Sequence, residues 1–340
     1  MRHLELRLLS FRLIACAIRT LLICFLVLSS NVYSKASLDA SCTQFVEDMR
    51  QVQQIVAPHC SGNSMDELND CFQKHLLRVG ERFEQTNEGT SSQEFAELVK
   101  SFIYLINPVP PKQSVYDVTG VLGSLFSNMQ TRFTLVLKLL DEEHYFTKRI
   151  VFLGSNRNLD PKWESEAMLA TIKVGGLMRK CPSNDIPFPT TETEAIHYIL
   201  SCSDPLPNMP LHKVLDTTAP AGKKRATTED TLITLVNDKE VFHPAYTYLF
   251  VSSQPFALLQ EAIIRGVLGP DVQFDICADN EYIVHHGFDS IFAQKNLKDN
   301  LARLLYQVKK NLDEGRSKSC PLLRPLDIPH TEEGRSLDEL

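Results

Sequence analysis

The chain lacks most of the short signatures that announce a chemistry. It has no CxxC pair, so neither a thioredoxin-like dithiol nor a zinc ribbon is indicated. It has no GxGxxG run, which leaves NAD unsupported, and no GxSxG elbow for a nucleophilic serine. An Asn-x-Ser/Thr sequon is missing too, which argues against a glycosylated secretory protein. The paired histidines His285 and His286 are adjacent, so in a strand their rings face opposite ways and cannot chelate one metal. No metal site is therefore expected. There is no internal repeat, and after the first forty residues no apolar run is long enough to span a bilayer.

What is present begins with a leader. Arg2, Arg7, Arg12 and Arg19 stand against Glu5 alone, and the apolar segment Leu21 to Leu28 follows. Val32-Tyr33-Ser34 then supplies small outer residues suited to a signal peptidase, with Ala36 as a second position. Residues 1–34 thus read as a signal peptide and the mature protein as exported, periplasmic or secreted. The alternative is an uncleaved leader that associates the chain with the envelope. Cleavage takes away four Arg and one Glu, moving the formal charge from −7 to about −10. An acidic exported chain is unsuited to holding phosphate backbones by bulk electrostatics, so no nucleic-acid partner is expected. Seven cysteines remain, an odd number that leaves at least one thiol outside any internal disulfide. The nearness of Cys42, Cys60 and Cys71 predicts one disulfide among them, with Cys42 and Cys71 on neighbouring helices.

Residues 37–145 read as a helical domain. Phe45, Met49, Val52 and Val56 recur at helical spacing, as do Met65, Leu68, Phe72, Leu76, Val79 and Phe83. Ser64 with Glu67, and Ser91 with Glu94, form capping boxes. A further series from Val115 through Val118, Leu122, Phe126, Met129, Phe133 and Val136 to Leu140 predicts one long helix reaching Glu143.

From Arg149 the pattern changes to strands alternating with helices. Strands are expected at 150–154, 213–216, 248–251 and 272–277, and helices at 163–178, 191–201, 227–236, 255–268 and 288–312. That alternation predicts an α/β domain over 149–312, with a Rossmann-like parallel sheet preceded by an all-helical N-terminal domain. Residues 313–340 read as a flexible tail.

Three apolar stretches run straight into polar loops: Ile150 to Arg157, His212 to Thr218 and Thr247 to Gln254. In parallel sheets ligands sit at such strand ends. Gly154, Ser155, Asn156 and Arg157 follow the first, where a glycine lets backbone approach a ligand. Arg225, Thr228 and Thr231 stand at a helix start that suits an anion, or else serve as an ordinary cap. Ser252, Ser253 and Gln254 end a strand, and Gln260 on the next helix points toward the same region. No catalytic set is spelled out; Asp230 and Glu194 are the acid/base candidates, although a carboxylate opening a helix is usually there for the dipole.

With those pieces in order, the chain from 149 to 280 resembles the YdcF/SanA/ElyC-like envelope family. That family shows a strand ending in a glycine turn, a helix rich in Glu and Ala, a polar S-x-N-T-x-E-N segment and a strand ending in V-T-S. Here IVFLG (150–154) matches the first and Thr193-Glu194-Ala195 falls in the helix. Residues 225–231 overlie the polar segment, with Thr228 keeping its threonine and Asp230 and Thr231 replacing its glutamate and asparagine. Val251-Ser252-Ser253 stands for V-T-S, while Phe256 and Leu259 occupy the places of the family's His and Arg. The resemblance implies a Rossmann-like domain that holds a small polar or anionic ligand and serves the cell envelope. The rival readings are a hydrolase or transferase acting on a phosphorylated or glycosylated metabolite, and a partner-binding module that uses the helical domain.

Overall fold

The computed structural model describes residues 41–58, 64–77, 101–141, 145–162, 187–202, 209–287, 290–317 and 319–323, with a few single positions between them. Five strands form one all-parallel sheet: β1 (Val115–Leu122), β2 (Phe146–Ser155), β3 (Leu211–Thr217), β4 (Thr247–Ser253) and β5 (Gln273–Asp279), in the order β3-β2-β1-β4-β5. Chain order runs outward from β1 to β3, then returns to β4 on the other side of β1. The strand order therefore reverses between β1 and β4, where the loops leaving the sheet diverge.

The helices follow from this path. Two helices, α3 (Phe126–Asp141) and α4 (Glu192–Cys202), cover one face, over Val121, Ile150, Phe152 and Val251. The other face, with Leu122, Val151, Leu153 and Phe250, is covered by α5 (Thr228–Asn237) and α6 (Ala257–Leu268). Reversing the direction of travel along the sheet switches the covered face, as right-handed crossovers require. Residues 150–153 alternate between the two clusters, the period of two expected of a strand buried on both sides.

A further helical layer packs on the back of α6. It contains α1 (residues 41–56), α2 (Met65–His75) and the long α8 (Ile291–Asp313), which follows the short α7 (Glu281–His286). Phe45, Met49, Leu68, Phe72, Leu301 and Leu305 form one cluster with Leu258 and Ala262 of α6. Helix α6 thus faces the sheet with one stripe and this layer with the other. The capping box of Ser64 with Glu67 opens α2 as expected; that of Ser91 with Glu94, and the helix expected at 163–178 apart from Glu164 and Ser165, lie outside the described residues.

Two expectations need correction. The long helix from Val115 to Glu143 is in fact strand β1, a turn at Gly123 and Ser124, and helix α3. A boundary at residue 145 would cut the central strand from its own sheet. The cause is burial: β1 is covered on both faces, so its nearly continuous apolar run fits a helical spacing as well as a strand. The strand signal is there in four β-branched residues, Val115, Val118, Thr119 and Val121, and in Gly120, over which the ring of Phe250 lies too close to admit a Cβ.

The second correction concerns the cysteines. Cys42 is bonded to Cys320, not to Cys71, across a sequence separation of 278 residues and a Cα–Cα distance of 4.9 Å. Cys71 and Cys202 are each in a disulfide too, and Cys60, the third cysteine of the expected group, lies outside the described residues. Cys277 is a free, buried thiol, and burial holds its pKa far above the ordinary value.

Candidate functional site

A cleft of about 410 Å³ opens at the switch between β1 and β4. Its floor is the Gly123–Leu125 loop, Ser155 and Arg157 beyond β2, Arg132 of α3 and Glu192 at the start of α4. One wall is the segment that enters α5, with Lys223, Arg225, Thr228, Glu229 and Thr231. The opposite wall is Phe256, Leu259, Gln260 and Ile263 on α6, and Asp299, Asn300, Arg303, Tyr306 and Gln307 of α8 close it from the helical layer.

The floor is a buried charge network. Arg157 reaches both oxygens of Glu164, at 2.7 and 3.0 Å, donates to the Ser124 carbonyl, and lies 3.6 Å from Glu192. Glu164, 1% exposed, also accepts from the backbone N–H of Phe126 and of Asp160. Its carboxylate therefore occupies the first turn of α3, where unpaired amides and the helix dipole favour negative charge. Glu192 accepts a hydrogen bond from the Ser155 hydroxyl. Burial pushes the Glu192 carboxyl above its usual range and nearby Glu164 adds to this, against the opposing pull of Arg157 and the Ser155 hydrogen bond. Burial alone would lower the Arg157 guanidinium, but Glu164 and Glu192 outweigh it and hold the charge. Gly123 makes the packing possible, because a Cβ there would fall inside the contact shells of the Glu192 carboxylate and the Leu153 carbonyl.

Arg132 is 1% exposed and donates to the carbonyls of Leu122 and Gly123 and to the Ser253 hydroxyl. It pins the end of β1 to the end of β4, across the position where strand order reverses. Asp279, ending β5, is pushed up to about 6 by burial and by Glu281, with Arg132 and Lys138 opposing.

Of the residues singled out in the sequence, Ser155, Arg157, Arg225, Thr228, Thr231 and Gln260 come together along this cleft. The others lie off it. Gly154 sits under α4, with no room for a Cβ beside Ile196 and Thr193. Asn156 donates from its backbone to Thr217 and accepts at Oδ1 from the N–H of Ala219. Ser252 donates to Oε1 of Gln260, fixing that amide, and Ser253 accepts from Arg132. Gln254 is fully buried and donates to the carbonyls of Tyr104 and Asn107, tying the incoming segment to the sheet.

The two acid/base candidates are caps. Asp230 closes a capping box with Thr227 and pairs with Lys223 at 3.0 Å. Glu194 does the same with Thr191 and accepts from Thr190. Of the two glutamates that open α4, the one that reaches the cleft is Glu192, two residues before Glu194. Local sequence pattern singled out Glu194 and not Glu192, and it missed Arg132 and the α8 wall altogether. Arg132 carried one usable signal, a charge placed between the apolar positions Met129, Phe133 and Val136.

Among the described residues, no group of three or more His, Cys, Asp or Glu is placed to hold a metal ion, and no helix is long and apolar enough to cross a membrane. Comparison with family models, curated proteins and solved structures finds no match.

Proposed function

We propose that this chain is an exported Rossmann-like protein of the YdcF/SanA/ElyC type, whose strand-end cleft holds a small polar or anionic ligand in the service of the cell envelope. The observation that carries the reading is the cleft itself. It lies where strand order reverses, is lined by polar side chains from three strand ends, and is large enough for a metabolite. Export is supported by the leader in the sequence and by the Cys42–Cys320 disulfide, a bond that persists in oxidising compartments.

Native mass spectrometry of the mature chain tests this. The expected result is a retained small molecule that is lost from Thr228→Arg, which fills the cleft. Arg225→Ala should weaken its retention and leave the melting temperature nearly unchanged, because an exposed residue contributes little to packing. Lost stability with unaltered retention would make Arg225 a structural residue.

One observation favours a second reading, a hydrolase or transferase. Glu192 is a buried carboxyl with a raised pKa that lines the cleft beside a serine hydroxyl, the setting in which a carboxyl serves as acid or base. This assigns the role to Glu192 in place of Asp230 and Glu194.

A further inference from the structure

Four helices begin around the cleft; α6 opens after Phe256 with no side-chain cap, and the other three starts each already hold a carboxylate from the protein. Glu164 accepts from the first turn of α3, Glu194 caps α4 and Asp230 caps α5. A helix start attracts an anion because its first amides lack partners; at these three, partners are supplied. The cations are matched in the same way: Arg157 by Glu164 and Glu192, Lys223 by Asp230, and Arg303 by Asp299 at 2.9 Å. Arg225 also interacts within the protein. A phosphate or carboxylate entering the cleft would compete with these pairs, and it would approach a chain of net charge −7.

What the cleft offers instead is donors and acceptors side by side. Three of its amides are each held at one end: Gln260 by Ser252, Asn300 by the Pro255 carbonyl and Gln307 by Asn311. With the carboxylates of Glu192 and Asp299 they form a fixed set of hydrogen-bonding groups, suited to hydroxyls that both donate and accept. Beside them Tyr306 lines the same cleft while 51% exposed, a large ring left in contact with water. A ring of that kind takes the flat, C–H-bearing face of a sugar.

We propose that the cleft binds an uncharged polyhydroxylated ligand, a sugar ring or short glycan, stacked on Tyr306. This rests on the cleft being the ligand site. Isothermal titration of the mature chain tests it, with the N-acetylglucosamine disaccharide, its pentamer, maltose and inorganic pyrophosphate as probes, at about 50 and 500 mM salt. The expected result is binding of at least one sugar, insensitive to salt and lost with Thr228→Arg. Tyr306→Ala should weaken it about tenfold and Tyr306→Phe should restore it, since the phenyl ring keeps the stacking surface. A pentamer that binds more tightly than the disaccharide marks a polymer as the source, and equal affinity marks a free sugar. Pyrophosphate binding that excludes the sugars, weakens with salt and is lost with Thr228→Arg would overturn the ligand class and leave the cleft as the site. Binding of no probe, or binding indifferent to Thr228→Arg, would overturn both.

Discussion

On the floor of the cleft, Arg157 holds two carboxylates that are 1% and 8% exposed. On the rim, Lys223 and Arg303 hold Asp230 and Asp299 with their own side chains 47% and 44% exposed. The chemistry of the pairs is the same and the surroundings differ. Arg157, itself 13% exposed, has given up its water along with its carboxylates, whereas the rim carboxylates, 10% and 8% exposed, are held by cations that keep theirs. The floor therefore belongs to the fold as much as to the site, and only the rim is free to be tuned for a ligand.

The largest effect is expected from Arg157→Ala, which strands Glu164 and Glu192 without their cation. It should cost about 3–5 kcal/mol in chemical denaturation; a loss of only a few tenths would abolish the distinction between floor and rim. Gly123→Ala comes next, at about 1–3 kcal/mol, because the added methyl pushes on Glu192 and on the Leu153 carbonyl. Pairing it with Glu192→Ala should recover part of that loss, and recovery of none would locate the strain at the carbonyl alone.

Asp279 sharpens the comparison through pH. Its folded pKa of about 6 lies above the ordinary 3.8, so the folded state binds the extra proton between those values. Its contribution to stability is complete below about pH 4 and is lost as pH rises through about 6. Asp279→Asn should accordingly stabilise the protein by about 1–2 kcal/mol at pH 7.5, with the gain vanishing near pH 4 in thermal melts. A gain that is the same at both pH values would rule out ionisation as its source. The smallest effect is expected at the rim: Arg303→Ala should change stability by no more than about 0.5 kcal/mol.

The outer parts of the sheet were legible in the sequence because β2, β3 and β4 each end in a clear polar loop and a helical pattern separates each strand from the next. Strand β1 was not, since a strand buried on both faces loses the alternation that identifies it. The site followed the same division. Arg157, Arg225 and Thr228 stand just past strand ends or at a helix start, where local pattern points to them. Glu192 and Glu194 are indistinguishable in one dimension, both acidic and both in the first turn of α4. Only the path of the chain past Gly123 sends the first into the cleft and the second back to Thr191. The α8 wall comes from residues more than 140 positions beyond Ser155, a proximity that no local spacing encodes.

The bond between Cys42 and Cys320 joins positions near the two ends of the described chain, so everything between them forms a covalent ring. Within that ring a single proteolytic cut opens a loop without releasing a fragment. Such a nicked molecule keeps its full mass on a non-reducing gel and falls into two pieces only when reductant is added.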